Sequence, residues 1–120
     1  MYEEELTYKI RGAVFEVYRT LGAGFLESVY HHALIKELQL QGLQVNSEVP
    51  LQVFYKEQLV GDFRADLIVD NKVLLELKAQ KEIPQAAEAQ LINYLKITEV
   101  KVGLLINFTY PRATIKRIVL

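Results

Sequence analysis

The stretch Asp62-Phe63-Arg64-Ala65-Asp66-Leu67-Ile68-Val69-Asp70-Asn71-Lys72-Val73-Leu74-Leu75-Glu76-Leu77-Lys78 decides the fold. In its first half Phe63, Ala65, Leu67 and Val69 are apolar, with Arg64 and Asp66 set between them. Side chains alternate across a strand, so Arg64 and Asp66 are expected on one face and the four apolar residues on the other. In the second half Leu75, Leu77 and Ala79 face one way, and Glu76 and Lys78 the other. Two such strands joined by a short polar loop form a hairpin, and the loop length fixes the register. With Asp70-Asn71-Lys72 as a three-residue loop, Val69 pairs with Val73, Asp66 with Glu76 and Arg64 with Lys78. A two-residue loop would put Asp66 and Glu76 on opposite faces. Asn71 tolerates the left-handed backbone that a three-residue hairpin usually needs, so the three-residue loop is expected.

That register brings two carboxylates and an ammonium together. Opposed carboxylates repel each other, and the arrangement costs stability unless a cation sits between them. Hard oxygen donors of this kind suit Mg²⁺ or Mn²⁺, which bind through one or two carboxylates plus substrate phosphate. Lys78 beside them could polarise water or steady developing phosphoryl charge. The plainer reading makes Glu76 and Lys78 a solvated strand face with a weak cross-strand ion pair.

Working outward, apolar residues at three- and four-residue steps (Leu6, Ile10, Ala13, Val14, Val17, Leu21) predict a helix from Glu3 to Leu21, broken by Gly22 and Gly24. A second helix is expected from Leu26 to Gln41, with Leu26, Val29, Tyr30, Ala33, Leu34 and Leu38 as its stripe and Gly42 as its stop. Strands are expected over Val49–Tyr55, Leu59–Val69 and Val73–Lys78. Pro84 should open a third helix in its first turn, and Val100–Phe108 and Ala113–Leu120 read as closing strands, the last a plausible sheet edge. The order α-α-β-β-β-α-β-β puts a crossover helix between the third and fourth strands. The expected fold is therefore α/β, a central mixed β-sheet flanked by helices.

No repeat, linker or low-complexity tract interrupts residues 1–120, which read as a single domain. Hydrophobic residues make 51% and charged residues 24%, which excludes a disordered chain. The absence of Cys excludes disulfides, thiolate zinc sites and a cysteine nucleophile. An acidic start without a long apolar run argues against a secretory signal, and no stretch suits a membrane span, so a cytoplasmic protein with no membrane partner is expected. Fourteen Lys and Arg against fifteen Asp and Glu argue against a nucleic-acid coat protein, which is usually basic. A phosphate backbone would have to be held by a local patch or bridged through metal.

Three helical side chains add to the carboxylate pattern. Glu27 lies at the edge of the second helix's stripe, where a first-turn glutamate would also be favoured by the helix dipole alone. Gln90 and Tyr94 stand one turn apart on the third helix, beside Ala87, Leu91 and Leu95, where core filling is the plainer role. Arg112, Lys116 and Arg117 make the C-terminal segment basic. Solvated charge is the default, and phosphate contact is a role open to Lys116 and Arg117.

These residues together resemble a known family. Gly24-Phe25-Leu26-Glu27-Ser28-Val29-Tyr30 is similar to the signature of the GxxExxY proteins, within the PD-(D/E)XK nuclease superfamily. Asp66 with Glu76-Leu77-Lys78 resembles the superfamily's D…(E)xK core, and Gln90-Leu91-Ile92-Asn93-Tyr94 resembles the QxxxY motif of its RecB-like branch. Gly61 to Asp66 and Gly103 to Phe108 extend the likeness over nearly the whole chain. The resemblance implies a restriction-endonuclease-like fold and a Mg²⁺- or Mn²⁺-dependent nuclease acting on nucleic acid, DNA first. It makes Asp66, Glu76 and the Leu77 carbonyl metal ligands, with Lys78 positioning the attacking water. Glu27 would complete the metal shell or orient that water, and Gln90 and Tyr94 would hold the site or the substrate.

Two positions depart from the family pattern. His31 stands where relatives often carry Glu, and Ala87 where they often carry His. His31 and His32 are candidate replacements, and plain surface residues otherwise. The alternative function is a catalytically weak or silent nuclease fold that binds nucleic acid or a protein partner. An exposed edge strand gives either version a route to a homodimer.

Overall fold

A computed structural model describes residues 2–120. Three helices and five strands follow in the order α1 (Glu4–Leu21), α2 (Glu27–Leu40), β1 (Val45–Tyr55), β2 (Gln58–Val69), β3 (Val73–Lys78), α3 (Gln85–Thr98), β4 (Val102–Asn107) and β5 (Thr114–Val119). Glu4 and Glu5 sit in the first turn of α1, where the helix dipole favours them, and the turn at Gly22 (φ 72°) ends it. Pro84 is extended (ψ 144°) and stands just before α3 rather than inside its first turn. β1 starts four residues earlier than the alternation suggested, because Val45 finds a partner in Val69.

The strands lie in the order β1-β2-β3-β4-β5. Only β3 and β4 are parallel, joined by the α3 crossover, and β5 forms the expected edge. The predicted mixed sheet is thus found. α1 and α2 cover one face, where Ile10, Val14, Leu34 and Leu38 meet Leu67, Leu75 and Leu104. α3 covers the other, packing Leu91 and Leu95 on Leu74 and Leu105. Gly103 allows that approach, since a Cβ there would lie 2.9 Å from Leu91. The predicted α2 stripe is only half right. Tyr30, Leu34 and Leu38 are buried, whereas Leu26, which stands just before the helix, is 77% exposed and Val29 is also open.

The three-residue loop is present. Val69 pairs with Val73 across Asp70-Asn71-Lys72, and Asp70 and Asn71 are both left-handed (φ 51° and 56°). The simple alternation along β2 does not hold. Leu67 and Val69 belong to the core under α1 and α2, but Ala65 and Phe63 pack with Tyr94 and Leu91 of α3. The change of face coincides with Asp66. Ser47 pairs with Leu67 and Val49 with Ala65, while Glu48 between them, opposite Asp66, is left-handed (φ 51°). Past that point β1 and β2 run on as an arm, closed by Lys56 and Glu57 with the two positive φ angles of a tight hairpin turn. Along its axes the molecule measures 48 × 29 × 24 Å. No helix among the described residues is long and apolar enough to cross a membrane.

Candidate active site

Backbone pairing between β2 and β3 stops at Leu67↔Leu75. At the next position the strands are held by side chains instead. The Asp66 N–H donates to Glu76 Oε1 (3.0 Å), and the Leu77 N–H donates to Asp66 Oδ2 (2.7 Å). Each carboxylate replaces a carbonyl of the ladder, so the predicted meeting of Asp66 and Glu76 occurs while the predicted Arg64–Lys78 pairing does not. The strands fork here: β2 follows β1, and β3 follows β4 as far as Lys78↔Asn107.

Among the described residues, one oxygen of each carboxylate remains without a donor from the protein. No fully buried side-chain polar atom among the described residues lacks a partner, so these two oxygens open onto accessible space. The Leu77 N–H points to the β2 side, and the Leu77 carbonyl on the same edge of the strand faces the fork too.

Glu76 is only 5% exposed. Burial, then the Asp66 charge, pushes its carboxyl up to about 8, against the pull of the Asp66 amide and Lys78. Asp66 is raised as well, chiefly by burial and also by Glu48, while the Leu77 amide, His31 and Lys78 pull it down. Glu27 is raised by burial and by Asp66, and lowered by Lys78 and His31. Asp66 and Glu76, with Glu27 across the cleft and one lysine beside them, gather an excess of negative charge on hard oxygens, the donor type that divalent cations take.

Lys78 is half-buried, and no carboxylate lies within 4.0 Å of its ammonium among the described residues. Its carbonyl accepts the Phe108 N–H (2.8 Å). Two residues on, the buried Asn107 side chain accepts the Gln80 N–H (3.0 Å) and donates to the Gln80 carbonyl (2.8 Å). Asn107 thus anchors the chain where β3 ends. A polar residue closing an apolar strand was its only trace in the sequence.

Tyr30, the tyrosine of the GxxExxY pattern, acts at a distance from the fork. It is fully buried, stacks on Phe108 (ring centroids 4.5 Å apart), donates to the Gly22 carbonyl and accepts the Phe25 N–H (3.2 Å). Those bonds fix the turn, in which Gly24 has φ 109°, that delivers Glu27 as the first residue of α2. Glu27 faces Asp66 across a cleft of about 260 Å³, also lined by His31, His32, Ser47 and Glu48. It does not join the Asp66/Glu76 pair in one ligand cluster; no three acidic, histidine or cysteine side chains among the described residues do so. His31 Nε2 lies 2.9 Å from Ser47 Oγ, tying α2 to β1 over the cleft. Glu48 escaped the sequence reading because no residue pattern announces its left-handed backbone.

From the α3 side Gln90 Nε2 donates to the Tyr94 hydroxyl (2.8 Å), and the Tyr94 ring lies 5.8 Å from that of Phe63. Burial raises the Tyr94 hydroxyl, and so do the charges of Glu76 and Asp66. Tyr94 therefore faces the fork, and Gln90 orients it. Lys116 and Arg117 are not brought to the pair. Two strands from Glu76, Lys116 binds Glu88 (2.8 Å), while Arg117 bonds Thr7 Oγ1 (3.1 Å) and the Tyr2 carbonyl.

A five-stranded mixed sheet with a D…ExK fork defines a class, the nuclease-type α/β domain of restriction-endonuclease-like shape. The chain belongs to the PD-(D/E)XK nuclease superfamily, whose pattern matches residues 4–118. That superfamily is made up in general of hydrolytic nucleases that typically use divalent metals. The fold is similar to that of the crystal structure of SSO0001, with a TM-score of 0.62 and 21% sequence identity over 77% of this chain and 48% of that one. This chain thus spans about half the length of that protein. No curated protein matches it.

Proposed function

We propose that the protein is a Mg²⁺- or Mn²⁺-dependent nuclease that hydrolyses phosphodiester bonds of nucleic acid, DNA in the first instance. The reading rests on one observation above all, the reciprocal bonding of Asp66 and Glu76 at the fork, with one accessible oxygen left on each. Those two oxygens and the Leu77 carbonyl would hold the cation. A divalent cation there supplies Lewis-acid charge for the phosphoryl group and makes water more acidic. Lys78, next to the pair and without an ion-pair partner among the described residues, directs its Nζ protons to the attacking water or a phosphoryl oxygen. Glu27 faces the same space from α2 and accepts a proton or orients the water. Tyr94, held by Gln90, keeps the α3 side of the fork in place.

A second reading, a nuclease fold that binds without turnover, is favoured by the separation of Glu27 from the pair and by Ala87 in place of a histidine. Incubation with single- and double-stranded DNA in Mg²⁺ or Mn²⁺ decides between them. The nuclease reading expects cleavage by the intact chain and at least about a hundredfold loss in Asp66→Ala and Lys78→Ala. No cleavage with either metal, or cleavage indifferent to both substitutions, sinks it. Calorimetric titration with Mn²⁺ then shows whether the fork binds metal at all.

A further inference from the structure

We propose that the outward face of the β1–β2 arm is a track for single-stranded nucleic acid. Arg64 holds the phosphate next to the one at the fork, and Phe54 stacks on a base farther out. The inference deepens the nuclease reading and rests on it.

Phe63 and Ala65 turn toward α3, so Arg64 between them points to the opposite side, where Asp66 lines the cleft. Arg64 is exposed, and among the described residues its guanidinium makes no hydrogen bond or ion pair. Arg19, Lys116 and Arg117 are engaged, with Glu16, Glu88 and Thr7, and lie on other elements; what sets Arg64 apart is its place on β2, two residues from Asp66. Two residues of strand separate the Arg64 and Asp66 backbones by at most about 6.6 Å across the change of face at Asp66, comparable to one step of an extended nucleic-acid backbone. A phosphate at the fork therefore has a neighbour within reach of a planar, five-donor cation.

Beyond Arg64, which pairs with Pro50, comes the Asp62–Gln52 pair, and then, past a register shift between Val53 and Phe54, Phe54 itself, two residues on from Gln52 along β1. Phe54 is 59% exposed, and Tyr55 beside it lies under the Lys56 ammonium (5.3 Å). An aromatic ring left bare at the end of a polar track is a stacking platform, tolerant of any base. Glu48, Asp62 and Glu57 lie along the same arm, so it is not a uniformly basic groove. A duplex would press two phosphate backbones against those acids. A single strand can set its phosphate on Arg64 and turn its bases toward Gln52, Asp62 and Phe54.

The experiment is anisotropy of a short labelled oligonucleotide, single-stranded and duplex, over a salt series, with intact protein, Arg64→Ala and Phe54→Ala. Expected are preference for the single strand, about tenfold weaker binding in Arg64→Ala and a shallower salt slope by about 0.7, the loss of one phosphate contact. Phe54→Ala should weaken binding about tenfold with the salt slope unchanged. Duplex preference, no binding, or an Arg64→Ala slope equal to that of the intact protein overturns the track. So does a change in mass by light scattering on Phe54→Ala, which would assign the bare ring to a second copy of the chain. Single-strand binding without cleavage by the intact protein would leave the track standing and remove the nuclease reading. Cleavage with an unaltered KM in Arg64→Ala would do the reverse.

Discussion

Beside its loop, the β2–β3 hairpin pairs Val69 with Val73, Ile68 with Leu74 and Leu67 with Leu75, all six buried. One residue farther on, the same two strands hold each other through the carboxylates of Asp66 and Glu76. The loop end buries apolar surface on both faces of the sheet and satisfies its backbone with backbone. The fork end takes the two groups hardest to bury and uses them as backbone acceptors, so that each is fixed yet retains a free oxygen. Apolar burial is concentrated at one end of the hairpin, and buried carboxylate at the other.

Substitutions at the two ends should therefore separate the two properties. Asp66→Asn keeps an oxygen for the Leu77 N–H but removes a charge. Metal-dependent cleavage is expected to fall by roughly 10³-fold, several kcal/mol of transition-state stabilisation, with the urea midpoint unchanged or higher. Leu75→Ala deletes a fully buried side chain at the closed end and is expected to lower stability by about 2–5 kcal/mol. The fraction that remains folded should cleave at the normal rate. Denaturant melts and initial rates on both variants test this, and equal stability losses at the two positions would erase the distinction.

Acidity sharpens the contrast further. The Glu76 carboxyl ordinarily titrates near 4.5 and in the fold is pushed up to about 8. The folded chain therefore binds a proton more tightly than the unfolded one, and stability falls as pH rises from about 5 to 8. Asp66 and Glu27 are raised as well and add in the same direction. Thermal melts in a chelator should show Tm declining across that window, with Glu76→Gln flattening the decline. The effect is on the order of a few kcal/mol. Added Mn²⁺ should offset the loss increasingly as pH rises, because a carboxylate must be deprotonated to bind metal. A Tm that climbs with pH in the metal-free protein would mean the fork is not a site of crowded, buried charge.

The loop end was legible in the sequence and the fork only partly so, for physical reasons. Side-chain parity is a rule of two, so the three-residue loop and the meeting of Asp66 with Glu76 followed from counting. Counting assumes that the ladder continues, and it could not show that the carboxylates would end it. Nor could it place Phe63 and Ala65 under α3, because the change of face comes opposite one left-handed residue, Glu48, in a strand two positions before a proline. The exposure of Leu26 escaped for a related reason. Periodicity identifies a helical face, but Leu26 stands just before the helix begins, and which residues of a face find a neighbour is a tertiary fact. Lys116 and Arg117 looked available as charges, and their intramolecular partners Glu88 and Thr7 lie 28 and 110 residues away along the chain.

The smallest expected effect tests the counting rule itself. Asp70 and Asn71 hold the loop in left-handed backbone, Lys72 N–H donates to the Val69 carbonyl (2.9 Å), and Asp70 Oδ1 accepts the Gln44 N–H (2.8 Å). Asn accepts positive φ more readily than a β-branched residue, whose Cβ crowds the following carbonyl. Asn71→Val should therefore cost about 1–2 kcal/mol in a urea melt. The buried pairs Val69↔Val73 and Leu67↔Leu75 would be lost to a one-residue slip, so the register should survive and the fork with it. Mn²⁺ affinity is then unchanged while stability drops. If metal affinity fell together with stability, the loop rather than the buried pairs would be setting the distance between Asp66 and Glu76.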